Sequence, residues 1–440
     1  MTDPTPHDPG ADGNVPYFAP SRREMLRYLA YGSAGVALAG GLASCTSDTS
    51  GHTASSPSTS TTTAPFRSSA AKKTLVVIEL GGGNDGLSTL VPYESSVYQK
   101  ARPTLALGAD DIIDWGDGLG LNKRLADLNT AGLAIVGGIG TTTPDLSHFE
   151  MLDRWWEGSI GIRTAAEQAA SAPGFLGRVS DQIQGDERFT AISLKFGSAA
   201  GIRATKASTT GLPPVQGSFL ETDQVNGKAF GRYLKSASKS NEADAMASAR
   251  MGIHNMLSII DVLNGLPAAP AGYPDTDFGT QLAIASRLVR SPAGVRIIHI
   301  PMGISEYDTH AQHATAHAKL MTNLNDGLAA FSADLHKHGL GDKVLIATTS
   351  EFGRRVEEHS EGLDHGAASL MMLLGPVKAG LHGEPSSVDK LDELGDLIAT
   401  MTFDRYLATM AAFLDVDPAV VLKPGLNGKP PAPIDGLLSS

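Results

Sequence analysis

The sequence predicts an α/β protein with a doubly wound, mostly parallel sheet that is covered by helices on both faces. Short apolar runs with almost no polar alternation are typical of strands buried in such a sheet, and the chain has six: 74–80, 132–138, 190–196, 294–300, 342–349 and 369–375. Segments with helical patterns lie between them, at 147–158, 244–263 and 316–340. Strands that alternate with helices favour the doubly wound arrangement.

The composition limits the classes of function. With 440 residues, 41% of them hydrophobic, the chain can bury a large core in one big domain or two smaller ones. Its formal net charge of −12 argues against nucleic-acid binding, which needs a basic surface. A metal site remains compatible with this charge, because carboxylate ligands are themselves negative.

The N-terminus has the pattern of an export signal. Arg22 and Arg23 precede an apolar run of small residues at 28–44, which is too short to span a membrane as a mature helix. Paired arginines indicate the twin-arginine pathway, which exports folded proteins. The run ends at Cys45, the single cysteine, in a sequence that resembles the lipobox of bacterial lipoproteins. We therefore expect a signal peptide at 1–44 and a lipid anchor on Cys45, at the outer face of the cytoplasmic membrane or in the cell envelope.

The rest of the chain divides into a tether and a domain. Residues 45–72 are rich in Ser and Thr and have no apolar period, which is typical of a flexible linker. Residues 73–440 contain all the predicted strands and form the predicted exported domain. Within it, the Gly-, Ser- and Thr-rich stretch 197–240 is expected to be an inserted cap over the sheet edge.

Polar residues follow the first two strands where a ligand crevice is expected, beyond the carboxyl ends of parallel strands. The first strand leads into the glycine-rich turn 81–86, which carries Asn84 and Asp85. The second leads to Ser147, which either caps a helix together with Glu150 or places a nucleophilic hydroxyl at a helix N-terminus. This segment taken alone favours the cap.

Metal-ligand residue types follow two later strands. Asp308 and His310 come after 294–300, and Glu351 and His365 come after 342–349. Hard divalent metals prefer carboxylate oxygens, whereas zinc and iron also accept imidazole. Arg354 suits a phosphate or sulfate oxygen, although a salt bridge with Glu357 or Glu358 is the favoured role. Together, the polar residues that follow these strands predict a metal site in one crevice.

Several motifs resemble, in order, the bacterial secreted family named domain of unknown function 1501. They are LVVIELGGGNDGLSTLVPY, SHFEMLDRWWEG, GFLGR, YDTHAQH, TSEFGRRV and LDHG, and the resemblance covers roughly residues 74–415. That family is similar to the alkaline phosphatase and sulfatase superfamily. The resemblance therefore implies an alkaline-phosphatase-like fold with two metals beside a hydroxyl nucleophile.

The resemblance also implies roles for individual residues. Two divalent ions (zinc, calcium, magnesium or manganese) would be held by Asp308, His310 and His365 for one, and by Asp85, Glu351 and the hydroxyl of Ser147 for the other.

Two of these assignments have alternatives. The nucleophile is either Ser147 or Thr143, and the histidine ligand near Asp308 is either His310 or His313. Asn84 and Arg354 would contact anionic oxygens of the substrate.

The predicted function is that of an exported, lipid-anchored, metal-dependent hydrolase of phosphate or sulfate esters. The expected partners are a small anionic ester or glycan-linked substrate, the membrane and the twin-arginine export machinery, and no nucleic acid. His148 or His313 is a candidate general acid, although a structural role suits each better. The alternative is a non-catalytic cell-surface binding or assembly protein with a degenerate site. A solute-binding lipoprotein is disfavoured, since that class has two hinged lobes and the pattern here gives one sheet.

Overall fold

The computed structural model describes residues 72–161, 172–183, 189–195, 199–212, 266–303, 305–425 and 428–439. The predicted signal peptide, Cys45, nearly all of the predicted tether and the predicted helix 244–263 lie outside these residues. None of the helices in the described part of the chain combines the length and apolarity that crossing a membrane requires.

The six predicted strands are all present, within about three residues of their predicted bounds. The strands, in chain order, are β1 (Thr74–Glu79), β2 (Leu90–Val91), β3 (Ile112–Gly116), β4 (Leu119–Asn122), β5 (Ala134–Gly140), β6 (Ala191–Ser193), β7 (Thr209–Gly211), β8 (Ile297–Pro301), β9 (Val344–Thr349), β10 (Gly353–Arg354), β11 (His365–Gly366), β12 (Ser369–Leu374), β13 (Gly380–His382) and β14 (Met401–Thr402). The sequence did not predict the strands of the small β2–β4–β3 sheet, the β10–β11 pair, or the short strands β7, β13 and β14 of the main sheet.

The helices of the described residues alternate with the long strands, as predicted. They are α1 (Gly86–Thr89), α2 (Ser96–Ala101), α3 (Ala126–Thr130), α4 (His148–Glu157), α5 (Phe175–Gln182), α6 (Asp277–Arg290), α7 (His313–Lys337), α8 (Phe403–Phe413) and α9 (Pro418–Val421). The predicted helices at 147–158 and 316–340 correspond to α4 and α7.

The main sheet has the strand order β13–β5–β12–β9–β1–β8–β6–β7, and β14 also pairs with β5. Its pairings are parallel except those of β12, which is antiparallel to both β5 and β9. Among the described strands of the main sheet, β12, which corresponds to the run 369–375, is therefore the one that runs antiparallel to the others. A parallel return needs a long crossover, usually helical. The β9–β12 connection instead contains the β10–β11 pair, so β12 starts at the edge where β9 ends.

The core lies on both faces of the main sheet because successive strand residues point to opposite sides. On β1, Val76 packs with Leu282 of α6 and Leu324 of α7 in one apolar cluster. Val77 packs in a second cluster with Trp155 of α4, whose other members include residues of α5 and α8. The predicted α/β architecture with helices on both faces is confirmed.

Part of the predicted cap belongs to the sheet itself. Residues Thr209–Gly211 form β7, which pairs in parallel with β6 at the sheet edge. The segment 213–240 of the predicted cap lies outside the described residues.

The glycine turn after β1 is as tight as predicted. Gly82 and Gly83 have φ values of 114° and 90°, in the region that favours glycine. A side chain at Gly82 would collide with the backbone at Tyr307 and Asp308. This close approach lets the end of β1 pack directly against the loop after β8.

Candidate metal centre

Three chain segments bring the site residues to one edge of the sheet. The chain leaves β5 and enters α4 at His148, the loop after β8 carries Asp308 and His310, and β9 ends just before Glu351. The β10–β11 pair then places His365 opposite Arg354. His365 reaches the same edge because antiparallel β12 begins there, and not because a parallel strand ends there.

Three imidazole rings converge on one carboxylate. The Nε2 atoms of His365 and His310 lie 3.1 Å and 3.0 Å from Oδ1 of Asp308, and Nε2 of His148 lies 3.4 Å from Oδ2. The Nε2 atoms of His310 and His365 are 2.9 Å apart. One ligand atom each from His148, Asp308 and His365 lies within 4.8 Å of the others, which makes a possible three-residue metal site. We call His148, Asp308, His310 and His365 together the Asp308 group.

The other nitrogen of each ring in the Asp308 group faces an oxygen. Nδ1 of His148 lies 2.9 Å from Oε1 of Glu351, and Nδ1 of His310 lies 3.1 Å from Oδ1 of Asp364. Nδ1 of His365 lies 2.7 Å from the carbonyl oxygen of Leu146. Oxygen acceptors on Nδ1 are the usual outer shell of metal-binding histidines, because they fix the ring and its tautomer. The three rings are therefore oriented with Nε2 inward.

The spacing of these atoms fits a metal ion. A carbonyl oxygen only accepts, so His365 carries a proton on Nδ1, and burial lowers its pKa and favours the neutral ring. Its Nε2 lone pair then faces an oxygen of Asp308, which is unfavourable unless a cation lies between them. Ligand atoms around a tetrahedral zinc ion are about 3.3 Å apart, given zinc–nitrogen distances of about 2.0–2.1 Å. The four distances given above within the Asp308 group, from 2.9 Å to 3.4 Å, are close to this value.

Local charges keep Asp308 ionised. Burial by itself would raise its pKa, but the hydrogen bond and the positive charge of Arg354 outweigh burial, so the pKa of Asp308 is lowered. The hydrogen bond with Glu351 raises the pKa of His148. The side chains of Asp308 and His148 are each 26% exposed, so the group is accessible to a small ligand from solvent.

Glu351 contacts His148 rather than Asp308. Its side chain is buried, and Oε1 accepts a hydrogen bond from the N–H of Gly82 at 2.7 Å as well as facing His148. Oε2 is buried and has no hydrogen-bond partner in the described structure. The predicted role of Glu351 as a direct ligand stays a prediction, and its present geometry is that of a residue that orients His148.

Replacing Glu351 with glutamine is expected to lower metal affinity about 10–100-fold, the usual effect of losing an outer-shell partner. Glutamine keeps the size of the side chain but removes the negative charge that faces Nδ1 of His148. Metal affinity is measured by competition with a chromogenic chelator. The matched control is Glu357→Gln at an exposed position. An unchanged affinity in Glu351→Gln would show that this contact does not support the site.

Asp85 and Asn84 lie in the protein interior. The carboxylate of Asp85 pairs with Arg102 at 2.6 Å, and both side chains are fully buried. The amide of Asn84 donates to Thr89, and its oxygen faces Nε2 of His317. The structure brings neither residue to the Asp308 group, so their roles in metal and substrate binding stay predictions.

The two histidines that the sequence left open occupy different places. His310 belongs to the Asp308 group, whereas Nε2 of His313 lies 3.2 Å from Oδ2 of Asp85.

Arg354 is buried at the base of the site. Nη2 donates to Oδ1 of Asp308 at 2.8 Å, and the guanidinium also donates to backbone carbonyls, those of Gly82, Gly83, Tyr307 and Leu363. All three of its nitrogens are therefore engaged by the protein. Arg354 does form a salt bridge, but its partner is Asp308 and not the predicted Glu357 or Glu358. Its contact with substrate stays a prediction.

The two candidate nucleophiles differ in their surroundings. Ser147 is exposed and occupies the N-cap position of α4, but its side chain makes no cap hydrogen bond, and Glu150 pairs with Arg154 instead. The predicted capping box is therefore wrong. The hydroxyl of Thr143 is half-buried and donates to the carbonyl oxygen of Ile160 at 3.4 Å.

The sequence predicts His148 as a general acid or a structural residue, and not as a metal ligand. The available signal was its position, directly after a polar N-cap at the exit of a predicted strand. Its partner Glu351 is 203 residues away in the chain, which no local pattern reveals.

Comparison with solved structures gives weak similarities. A sulfatase from Pseudoalteromonas sp. has 12% identity and a TM-score of 0.36, over 78% of this chain and 68% of that chain. The lipoteichoic acid synthase LtaP from Listeria monocytogenes has 8% identity and a TM-score of 0.37, over 80% and 74%. The C-terminal periplasmic domain of EcEptC from Escherichia coli, in complex with Zn, has 10% identity and a TM-score of 0.38, over 80% and 87%. Similarities of this size do not establish activity, substrate or metal.

Sequence comparison identifies the family. No curated protein matches the chain. One family model does match, over residues 129–418, and this range contains the whole Asp308 group together with Glu351, whereas Asp85 and Arg102 precede it. The predicted resemblance is confirmed over about two thirds of the sequence, and the chain belongs to the family described as protein of unknown function (DUF1501).

Proposed function

We propose that this protein is a metal-dependent hydrolase of phosphate or sulfate esters, with a divalent ion held by His148, Asp308, His310 and His365. One observation carries the proposal: three histidines direct Nε2 towards one carboxylate while an oxygen faces Nδ1 of each ring. Three nitrogens and one carboxylate oxygen are a donor set typical of zinc. When bound, the ion supplies positive charge that stabilises the negative oxygens of a transferring phosphoryl or sulfuryl group.

The residues beside the ion site have separate roles in this proposal. Ser147 supplies the attacking hydroxyl, since it is exposed and directly precedes His148. Ser147 also lies at the N-terminus of α4, and a helix N-terminus favours the anionic oxygens of an ester. Arg354 holds the Asp308 carboxylate in place, and Glu351 and Asp364 hold the rings of His148 and His310.

The same proposal includes the place of action. The twin-arginine signal would export the folded domain, and the lipid on Cys45 would hold it at the outer face of the cytoplasmic membrane or in the cell envelope. A small anionic ester or a glycan-linked ester would then be the substrate. Changing Cys45 to serine and following the protein between membrane and soluble fractions tests the anchor.

The Ser147→Ala variant is expected to keep its metal and to lose turnover by at least about 100-fold, because it lacks the attacking oxygen. It is not expected to unfold, since Ser147 makes no side-chain cap bond. Thr143→Ala is the matched control, because that hydroxyl is directed at the carbonyl oxygen of Ile160. If Thr143→Ala, and not Ser147→Ala, stops turnover, the nucleophile is Thr143.

The test of the function is a comparison of metal-loaded and chelator-stripped protein on a panel of phosphate and sulfate esters. Hydrolysis that disappears with the chelator and returns with zinc or another divalent ion supports the proposal. Metal-loaded protein that hydrolyses no ester in the panel contradicts it.

A non-catalytic binding or assembly protein is the second candidate. It is favoured by Arg354 and Asn84, which are buried and bonded within the protein and not open to an anionic substrate.

A further inference from the structure

A second polar cluster lies in the protein interior and shares no residue with the Asp308 group. It consists of Asp85, Ser88, Arg102 and His313, each at most 3% exposed. We call it the Asp85 cluster. The resemblance stated above assigns Asp85 to a second metal ion, and the arrangement of this cluster tests that assignment.

Arg102 uses all its donors inside the protein. Nη1 donates to Oδ2 of Asp85 at 2.6 Å and to Oγ of Ser88 at 3.1 Å. Nη2 donates to Oδ1 of Asp85 at 3.0 Å and to the carbonyl oxygen of Arg355 at 2.8 Å. Nε donates to the carbonyl oxygen of Val356 at 3.0 Å. A guanidinium has five N–H donors, so none is left for a substrate.

Both oxygens of the Asp85 carboxylate also have partners within the protein. Each of its oxygens accepts a hydrogen bond from Arg102, Oδ1 also accepts one from the N–H of Leu87 at 3.2 Å, and Oδ2 lies 3.2 Å from Nε2 of His313. Asp308 keeps one oxygen, Oδ2, that does not accept from Arg354, whereas Asp85 has no oxygen free of Arg102. The residues present therefore do not fit a second ion while Arg102 is in place.

We propose that the guanidinium of Arg102 is the permanent cation of the Asp85 cluster and excludes a second metal ion from it. A buried carboxylate needs a compensating charge, and an arginine side chain supplies one that no chelator removes. The protein then binds one divalent ion per chain, in the Asp308 group. This stoichiometry rests on the proposed function for the first ion, whereas the exclusion of the second does not.

If Arg102 is removed, the Asp85 cluster is expected to bind a metal ion in its place. Without Arg102, the Asp85 carboxylate, the Ser88 hydroxyl and Nε2 of His313 would lie around the buried space that the guanidinium now occupies. A carboxylate, an imidazole nitrogen and a hydroxyl are donors that a divalent transition metal accepts.

The experiment counts zinc per chain by elemental analysis after loading and desalting, in four proteins. They are the wild type, Arg102→Ala, the double variant His148→Ala/His365→Ala, and the triple variant that combines them. We expect one, two, zero and one ions, respectively. Arg102→Lys, which keeps a cation, and Arg124→Ala, at an exposed position, are controls expected to match the wild type.

The outcomes separate this inference from the proposed function. Wild type with no ion and Arg102→Ala with one would contradict the metal centre and support the role of Arg102. Wild type with two ions, and an anomalous-scattering peak at Asp85, would overturn the role of Arg102 and leave the metal centre intact. A folded Arg102→Ala that gains no ion would also overturn it. If Arg102→Ala does not fold, the wild-type count and the position of its anomalous peaks decide.

Discussion

Replacing Asp308 with alanine is expected to lower metal affinity by more than about 100-fold and to remove ester hydrolysis with it. Loss of an outer-shell partner usually costs about 10–100-fold, and loss of a ligand costs more. Asp308 is the carboxylate on which three Nε2 atoms converge, so its removal takes away the negative charge that balances a cation there. Affinity is measured by chelator competition and hydrolysis on the same preparation.

The control for this prediction is Asp389→Ala, which removes an exposed carboxylate. Circular dichroism shows whether each variant folds. A folded Asp308→Ala protein that binds zinc as tightly as the wild type would rule out the Asp308 group as the metal site.

The His148→Ala variant tests whether His148 is a metal ligand, as the structure indicates, or not, as the sequence predicts. If His148 is a ligand, as its position facing Oδ2 of Asp308 indicates, the variant loses metal affinity nearly as strongly as Asp308→Ala. If the ligands near Asp308 are only those that the sequence predicted, His310 and His365, the loss stays small. His359→Ala, at an exposed position, is the matched histidine control.

Replacing Arg354 with methionine is expected to destabilise the folded protein by about 3–5 kcal/mol, the usual cost of breaking a buried ion pair from one side. The side chain of Arg354 is fully buried, and its removal takes one donor away from the Asp308 carboxylate and from each of several backbone carbonyls. Methionine fills much of the space, so the loss reports mainly on charge and hydrogen bonds. Urea unfolding measures it, with Arg124→Ala, at an exposed position, as the control.

This variant also decides between two roles for Arg354. A residue that only binds the substrate anion would raise KM and leave the free energy of unfolding unchanged. A residue that holds the site together would lower both stability and metal affinity. Unchanged stability in Arg354→Met would contradict the structural role that its contacts indicate.

Local sequence patterns were enough to predict the strands and the edge of the sheet that carries the site. Apolar runs of the right length predicted β1, β5, β8 and β9, because a strand buried on both faces has few positions for polar residues. Parallel strands end at a common edge, so Asp308 and Glu351 could be placed together from their positions after β8 and β9. The ordered motifs identified the family before the fold was known.

Contacts between distant segments of the chain determine which polar groups meet at that edge. His148 pairs with Glu351 across 203 residues, and Arg354 pairs with Asp308 across 46. Asp85 pairs with Arg102 across 17 residues. It therefore lies in a buried ion pair and not in the open crevice that its position after β1 predicts. A local pattern shows where a strand ends and which residue types follow it. The partner of each side chain depends on loops that approach from distant parts of the chain, and on the reversed direction of β12, which no local pattern encodes.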